Sequence, residues 1–141
     1  MTNQVQLEVI TPERRVLAEP VDTVTIPGSG GEFGVLPGHT PLISLLQTGV
    51  LAYVQEGMSH RLHVSGGFVE VNADHVAVLA DIAERPEEID AERARRDREH
   101  AEAILRSFNG TEEELAEAHK LLDQSLARLQ LVADVSAAIM R

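Results

Sequence analysis

A segment just past the middle of the chain carries residue types that could bind a phosphate group. Asp90 stands before a stretch with helical spacing, and four arginines follow it within two turns: Arg93, Arg95, Arg96 and Arg98. The N-terminus of a helix presents unpaired backbone N–H groups that attract anions, and guanidinium groups pair well with phosphate oxygens. The segment could therefore hold a nucleotide. The same residues would equally form a capped helix start with solvated charges, and their spacing does not decide between the two.

A second cluster, GSGGEFG from Gly28 to Gly34, has the composition of a phosphate-binding loop. A dinucleotide-binding loop needs the spacing G-x-G-x-x-G and a helix directly after it. The sequence VLPG follows here instead, and it does not begin a helix. The cluster is therefore predicted to be a surface turn between strands.

The histidines and acids of the first half show no pattern of a metal or hydrolytic site. His60 and His63 are an odd number of positions apart on a predicted strand, so their side chains face opposite sides unless a bulge intervenes. Four acids are scattered without pairing: Glu13, Glu19, Asp22 and Asp81. No serine lies in a G-x-S-x-G motif. Neither a metal ion nor catalytic residues are therefore expected.

Residues 1–84 show the alternation of apolar and polar side chains that is typical of strands. Val5, Leu7 and Val9 alternate with polar neighbours, and Val76 and Val78 begin a similar series. Further short apolar runs, separated by turn sequences, cover residues 21–26, 50–54, 61–64 and 68–71. Because no helix intervenes to carry a parallel crossover, these runs predict an antiparallel β-sandwich or flattened barrel of about eight to ten strands.

Residues 85–141 differ from residues 1–84 in both charge density and apolar spacing. The first 84 residues carry 3 basic and 10 acidic side chains, whereas the other 57 carry 9 and 13. Apolar and small residues recur every three or four positions from Ala91 to Phe108, and again from Leu115 to Ile139. Two helices are therefore predicted, and residues 1–84 and 85–141 are expected to form separate domains.

The expected helix ends carry capping residues. Asp90 is the predicted N-cap of the first helix. Asn109-Gly110 suits a left-handed C-terminal cap, and Thr111 with Glu114 forms a capping box that starts the second helix at once. Because so short a connection forces the helices to be antiparallel, residues 85–141 are predicted to form an αα-hairpin, and the whole chain an α+β fold.

The facing positions of the two predicted helices are rich in Ala and Ser, with one Arg. Small side chains bury little apolar area, at about 25 cal/mol per Å², so the closed hairpin is expected to be marginally stable. Such a hairpin could be a movable element. Small residues could also serve only to let two helices approach closely, and the pattern leaves both interpretations open.

Composition limits the function classes. The chain has 141 residues, a net charge of −11 and 3% aromatic residues, with neither Cys nor Trp. Its core must be aliphatic, and its charge disfavours nucleic acid and acidic lipid as partners. The absence of cysteine excludes disulfides and thiolate sites. No signal peptide and no apolar stretch of membrane-spanning length is visible, so direct membrane insertion is not expected.

Four segments, in order along the chain, resemble those of the epsilon subunit of the rotary F-type ATP synthase. They are LEVITP from Leu7, GEFGVLPGHTPL from Gly31, SGGFVEV from Ser65 and VLAD from Val78. The resemblance covers essentially the whole chain. It implies a β-sandwich of about ten strands followed by a helical hairpin, in agreement with the division above.

The resemblance also implies a function and partners. In this family the sandwich seats against the gamma subunit and the ring of c subunits, while the helices fold on the sandwich or extend toward the catalytic alpha/beta head. It implies a non-catalytic rotor subunit that couples the c ring to gamma and regulates ATP hydrolysis. The expected place is the cytoplasmic face of a bacterial plasma membrane, with a plastid thylakoid as the less favoured alternative.

Two groups of site residues carry over from the resemblance. Glu32 takes the place of the family acid beside the polar loops of the c ring, and its neighbours Phe33, Gly34 and His39 are expected to share that contact. No cofactor is required, but ATP is a candidate regulatory ligand, because Ile89-Asp90-x-x-Arg93-Ala94 matches the family pattern I/L-D-x-x-R-A. The glutamate expected five residues before the Ile is Glu84, and Arg98 is the candidate second arginine.

Two other function classes compete with the rotor subunit. One is a free-standing module of the same fold that senses a nucleotide or another small ligand. The other is a hydrolase with a diffuse carboxylate site. Copurification with a large membrane-attached ATPase would distinguish the rotor subunit from both.

Overall fold

The computed structural model describes residues 3–107 and 109–139 of the chain. These form two compact units, Met1–Arg85 and Pro86–Arg141. The first unit is built from strands and the second from helices. The α+β fold class expected from the change in apolar spacing is confirmed.

Ten strands are present among the described residues, within the predicted range of eight to ten. They are β1 (Val5–Ile10), β2 (Arg15–Val21), β3 (Thr23–Gly28), β4 (Gly31–Val35), β5 (Leu42–Leu45), β6 (Gly49–Gln55), β7 (Met58–Ser65), β8 (Phe68–Val71), β9 (His75–Leu79) and β10 (Ile82–Glu84). One sheet has the strand order β2-β1-β9-β8-β5, and the other has the order β10-β7-β6-β3-β4. We call them the first and the second sheet.

The strand pairs are antiparallel with one exception. Strand β1 runs parallel to β9, with pairs from Gln6 opposite His75 to Ile10 opposite Leu79. The predicted antiparallel sandwich is confirmed except at this one pair, which is parallel. A parallel pair needs a long crossover, which is usually a helix. Here the strands from β2 to β8, spread over both sheets, provide that crossover.

The glycine cluster is mostly a strand, and its prediction as a surface turn was wrong. Residues 31–35 form β4, which pairs antiparallel with β3 through Ile26 opposite Phe33 and Val24 opposite Val35. Only Ser29 and Gly30 lie between the two strands. Glycines hide the apolar alternation of this strand, whereas the inward-facing Phe33 and Val35 fix its pairing.

An aliphatic core lies between the two sheets. Its largest fully buried apolar side chains are Leu7, Ile26, Leu51 and Leu62, surrounded by valines, and the ring of Phe33 packs against it while still partly exposed. Full burial of one such aliphatic side chain contributes about 1.5–3 kcal/mol. The core therefore draws on both sheets, and each strand must keep its apolar side inward.

The second unit contains a 3₁₀ helix, Pro86–Glu88, and the helices α1 (Ala91–Arg106) and α2 (Glu112–Ile139). Asp90 caps α1, since its side chain accepts a hydrogen bond from the backbone N–H of Arg93 at 3.1 Å. Thr111 caps α2 in the same way, accepting from the N–H of Glu114 at 3.1 Å. Both N-terminal caps are as predicted.

The C-terminal end of α1 differs from the prediction. The cap residue is Ser107, and the described Gly110 does not have the positive φ of a left-handed cap. The hydroxyl of Ser107 donates to the carbonyl of Ala103 at 3.3 Å. That bond satisfies one of the carbonyl groups that a helix end leaves without an intrahelical partner.

The helices pack on each other through small side chains. Ala94, Ala101, Ala118 and Ser125, all at predicted facing positions, are buried, and Arg98 is half-buried. Phe108 and the side chain of Ile139, also assigned to these faces, lie outside the described residues. Small side chains let helices approach closely but bury little apolar area.

The turn between β7 and β8 depends on a glycine. Gly67 has φ +91°, and a Cβ there would collide with the carbonyl oxygen of Leu79. We expect Gly67→Ala to lower the free energy of unfolding by about 2–4 kcal/mol through backbone strain and overpacking. Urea unfolding of the full chain measures this. Gly30→Ala is the matched control, because its Cβ would meet nothing within 4 Å, and equal losses for both variants would contradict the assignment.

Candidate functional site

The predicted nucleotide-binding segment forms the first turns of α1. The backbone N–H of Ile89 donates to the carbonyl of Pro86 at 3.2 Å, and Asp90 has the extended backbone of an N-cap. The side chain of Arg93 is exposed, whereas Ala94 is only 2% exposed. Ala94 is thus a packing residue of α1. Arg93 is the residue of the motif whose charged side chain is exposed to solvent.

The other arginines of α1 differ in their ion pairs. Arg98 Nε lies 3.6 Å from Glu102 Oε1, and Arg95 pairs with Glu92. Pairs of this kind on a helix surface contribute about 0.3–0.5 kcal/mol, so a phosphate could displace them at small cost. Among the residues that the structure describes, none pairs with the Arg93 guanidinium, so Arg93 is the better candidate for contact with an anion.

Glu84 belongs to the first unit, at the end of β10. It lies directly opposite His63 of β7, and His63 Nδ1 is 2.7 Å from Glu84 Oε1. The His63 side chain is fully buried, and that of Glu84 is 24% exposed. Sequence reasoning considered His63 only as a metal ligand. No local pattern indicates its pairing with Glu84, because the two are 21 positions apart and meet only when β7 and β10 pair.

The two histidines of β7 face opposite sides, as predicted. His60 stacks on Tyr53 with ring centroids 5.0 Å apart, whereas His63 turns toward Glu84. Among the described residues, no group of three or more His, Cys, Asp or Glu side chains has an arrangement that could hold a metal ion.

An open groove of about 780 Å³ lies between α1 and α2 near their connection. Its lining includes His100, Glu117 and Lys120. None of the six candidate nucleotide-binding residues lines it. A ligand in this groove would therefore occupy a different place from the one that the motif predicts.

The predicted stalk-contact residues lie on and beside the edge strand β4. Glu32 and Gly34 are exposed, but Phe33 packs against the core. Glu32 is in a strand, opposite Pro27 of β3, and not in a turn as expected. His39 follows the exposed Leu36 in the next loop and is half-buried. An exposed charge on an edge strand also hinders pairing with other chains, so Glu32 has a structural role in any case.

An apolar row crosses the outward face of the first sheet, and sequence reasoning missed it. We define the apolar row as Ile10, Leu79, Phe68 and Leu45, which lie side by side on β1, β9, β8 and β5. Leu45 is 67% exposed, and Ile43, two residues earlier on the same side of β5, is 71% exposed. Contiguous exposed apolar side chains mark surfaces that bind other proteins.

The fold defines a class: a ten-stranded β-sandwich followed by two helices, with an exposed apolar row on one sheet. Residues 4–86 match the family "ATP synthase, Delta/Epsilon chain, beta-sandwich domain", and residues 87–133 match its "long alpha-helix domain". The chain therefore belongs to the ATP synthase delta/epsilon family. The predicted family membership is confirmed.

Relatives with high coverage are bacterial epsilon chains. The chain is 44% identical to the ATP synthase epsilon chain of Nitratidesulfovibrio vulgaris (strain DP4), with 93% of this chain and 97% of the relative covered. It is 46% identical to that of Herpetosiphon aurantiacus, with coverage of 90% and 93%. These relatives match the epsilon type within the family.

Two solved structures resemble the chain in fold. A chain in the Euglena gracilis mitochondrial ATP synthase, whose structure includes OSCP, F1 and the c-ring, has a TM-score of 0.71 at 30% identity, covering 99% of this chain and 83% of that one. A chain of the Tetrahymena thermophila central stalk and c-ring has a TM-score of 0.51 at 15% identity, a likeness of fold alone. Neither helix, over its described residues, is both long and apolar enough to span a bilayer.

Proposed function

We propose that the chain is a non-catalytic rotor subunit of a proton-translocating ATP synthase, joining the gamma subunit to the c ring. The observation that carries this proposal is the apolar row, which gives the sandwich a protein-binding face. Membership of the delta/epsilon family and the likeness to a chain of an ATP synthase that includes F1 and the c-ring support it. The proposed location is the cytoplasmic face of a bacterial plasma membrane, as a peripheral part of the complex.

The apolar row is the proposed seat of the gamma subunit. Its exposed aliphatic and aromatic side chains suit the core of an interface, and charged groups such as Glu70 and Glu8 lie beside it on the same outward face. An apolar centre with a polar rim is the usual anatomy of such surfaces. Glu32 lies outside the apolar row, on β4 at the edge of the second sheet. It is therefore available for a second contact.

Replacing a residue of the apolar row should weaken assembly. We expect Leu45→Asp to lower the affinity of the full chain for an ATP synthase depleted of this subunit by about tenfold to a hundredfold, because a charge would be buried at the interface. Met58→Asp is the matched control, since Met58 is 66% exposed on β7, outside the row. The affinities of both variants for the depleted enzyme are measured in a surface-binding experiment. Equal affinities would show that the apolar row is not part of the interface.

Glu32 is proposed to contact the polar loops of the c ring. We expect Glu32→Lys to weaken the coupling of proton flow to ATP synthesis without unfolding the sandwich, because the side chain is exposed on an edge strand. Reconstituted vesicles measure both proton pumping and synthesis. Glu13→Lys, an exposed charge reversal in the turn after β1, should leave coupling unchanged. Full coupling in the Glu32 variant would exclude the contact.

We also propose that ATP is a regulatory ligand of the closed hairpin. Arg93 and Arg98 would meet the phosphates at the start of α1, and Ile89 would pack beside the base or ribose. Ala94 is buried and would support this turn of the helix without touching the ligand. A ligand that binds only one state stabilises it by RT ln(1 + [L]/Kd), about 2.7 kcal/mol at a hundredfold excess over Kd. An energy of that size could keep a hairpin of small side chains closed, and loss of ATP would leave the helices free to extend toward the alpha/beta head.

Removing the Arg93 side chain separates ATP binding from helix capping. Asp90 accepts its hydrogen bond from the backbone of Arg93, so Arg93→Ala keeps the cap. We expect at least about a tenfold loss of ATP affinity by isothermal titration, as one charge-assisted contact disappears. Arg96→Ala, an exposed arginine of the same helix, should bind ATP like the parent chain. Equal heats from the parent and Arg93→Ala would make the motif purely structural.

A further inference from the structure

An acidic side chain interrupts the apolar outward face of the first sheet. Strand β8 lies between β9 and β5 and carries Phe68 and Glu70 on the same side, both of them exposed. Directly opposite Glu70 stand Ile43 on β5 and Ala77 on β9. Ile43 is 71% exposed. A partner that covers both Phe68, in the apolar row, and Ile43 must therefore cover Glu70 as well.

A second acid on the same face is neutralised within the chain. Glu8 of β1 lies opposite Ala77 on its other side. Its Oε2 is 3.4 Å from Arg15 Nη2, and its Oε1 is 3.2 Å from His75 Nε2. Glu70, by contrast, has no hydrogen bond or ion pair to any residue that the structure describes. Covering Glu8 leaves it with partners, whereas covering Glu70 would leave its charge alone.

The charge of Glu70 restricts the chemistry of whatever covers this face. Removing an ionised carboxylate from water is unfavourable unless an opposite charge pairs with it. A partner surface that is acidic or apolar at this point is therefore rejected, whereas one that carries a lysine or arginine there is accepted. Residues 1–84 have the same preference as a whole, with 10 acidic and 3 basic side chains. Such an excess attracts basic surfaces during encounter.

We propose that Glu70 is the specificity-determining residue of the apolar face, and that the partner protein brings a lysine or arginine side chain that pairs with it inside the interface. The inference rests on the proposed function, in which the apolar row is the seat of the gamma subunit. It adds the chemistry of the facing surface: apolar groups over Phe68 and Leu45, and one cation over Glu70. The right partner gains a charge-assisted hydrogen bond, and the wrong one leaves the carboxylate unpaired.

The test measures binding of the full chain to an ATP synthase depleted of this subunit, with association and dissociation rates recorded separately. Glu70→Gln keeps the shape of the side chain and removes its charge, whereas Glu70→Lys reverses the charge. We expect Glu70→Gln to lower the affinity by about tenfold to a hundredfold, and Glu70→Lys to lower it further, because the cation of the partner is then buried without its counterion. The loss should lie mainly in faster dissociation, as for charge pairs inside an interface.

A glutamate of the second sheet provides the matched control. Glu56 is exposed in the turn between β6 and β7, so Glu56→Gln and Glu56→Lys change the net charge equally and should bind like the parent chain. Equal losses at both positions would trace the effect to net charge and overturn the role of Glu70. A loss confined to slower association would overturn it too, because Glu70 would then only steer the encounter from the rim.

The sign of the Glu70→Gln effect separates this inference from the proposed seat. A carboxylate without a partner cation binds better once its charge is gone, so unchanged or tighter binding of Glu70→Gln overturns the pairing. If Leu45→Asp weakens binding in the same experiment, the seat on the apolar row stands. If Leu45→Asp binds like Met58→Asp, the proposed seat fails, and this role with it. Dimers of the parent chain that Leu45→Asp dissociates would make a second copy the occupant and overturn the inference.

Discussion

The rest of the structure depends on the packing of aliphatic side chains between two sheets. With aromatic residues at only 3%, the core volume must come from valines, leucines and isoleucines that interdigitate from both sides. Each strand must therefore keep one face inward, which fixes its register, because a slip of one residue would turn its apolar side to solvent. Register in turn decides what the outward faces present.

The faces that the two sheets turn away from the core differ, because core packing does not restrict which residues stand there. On the first sheet, register brings Leu45, Phe68 and Leu79 side by side in the apolar row. On the second, it sets His63 against Glu84. The same strand β7 that gives Leu62 and Val64 to the core carries His63 between them. A side chain held by a packed strand is placed more firmly than one on a loop.

The sequence predicted the elements whose apolar side chains alternate or recur at a regular spacing. It failed for strands whose apolar side chains do not all face the core. Strand β1 was visible because its inward valines alternate with polar residues. Strand β5 was not, since Leu42 and Ile43, on opposite faces of an edge strand, are both exposed. The apolar row and the bond between His63 and Glu84 join residues far apart in the chain. No local pattern encodes them, because they exist only once strand pairing is set.

The two units differ in the side chains that hold them. The sandwich buries leucine, isoleucine and valine, whereas the packed faces of α1 and α2 bury mainly alanine and serine. At about 25 cal/mol per Å², an alanine methyl contributes far less than a leucine side chain. Separation of the helices would therefore cost much less free energy than opening the sandwich. The residue types of the two halves therefore set different free-energy costs for separating the helices and for opening the sandwich.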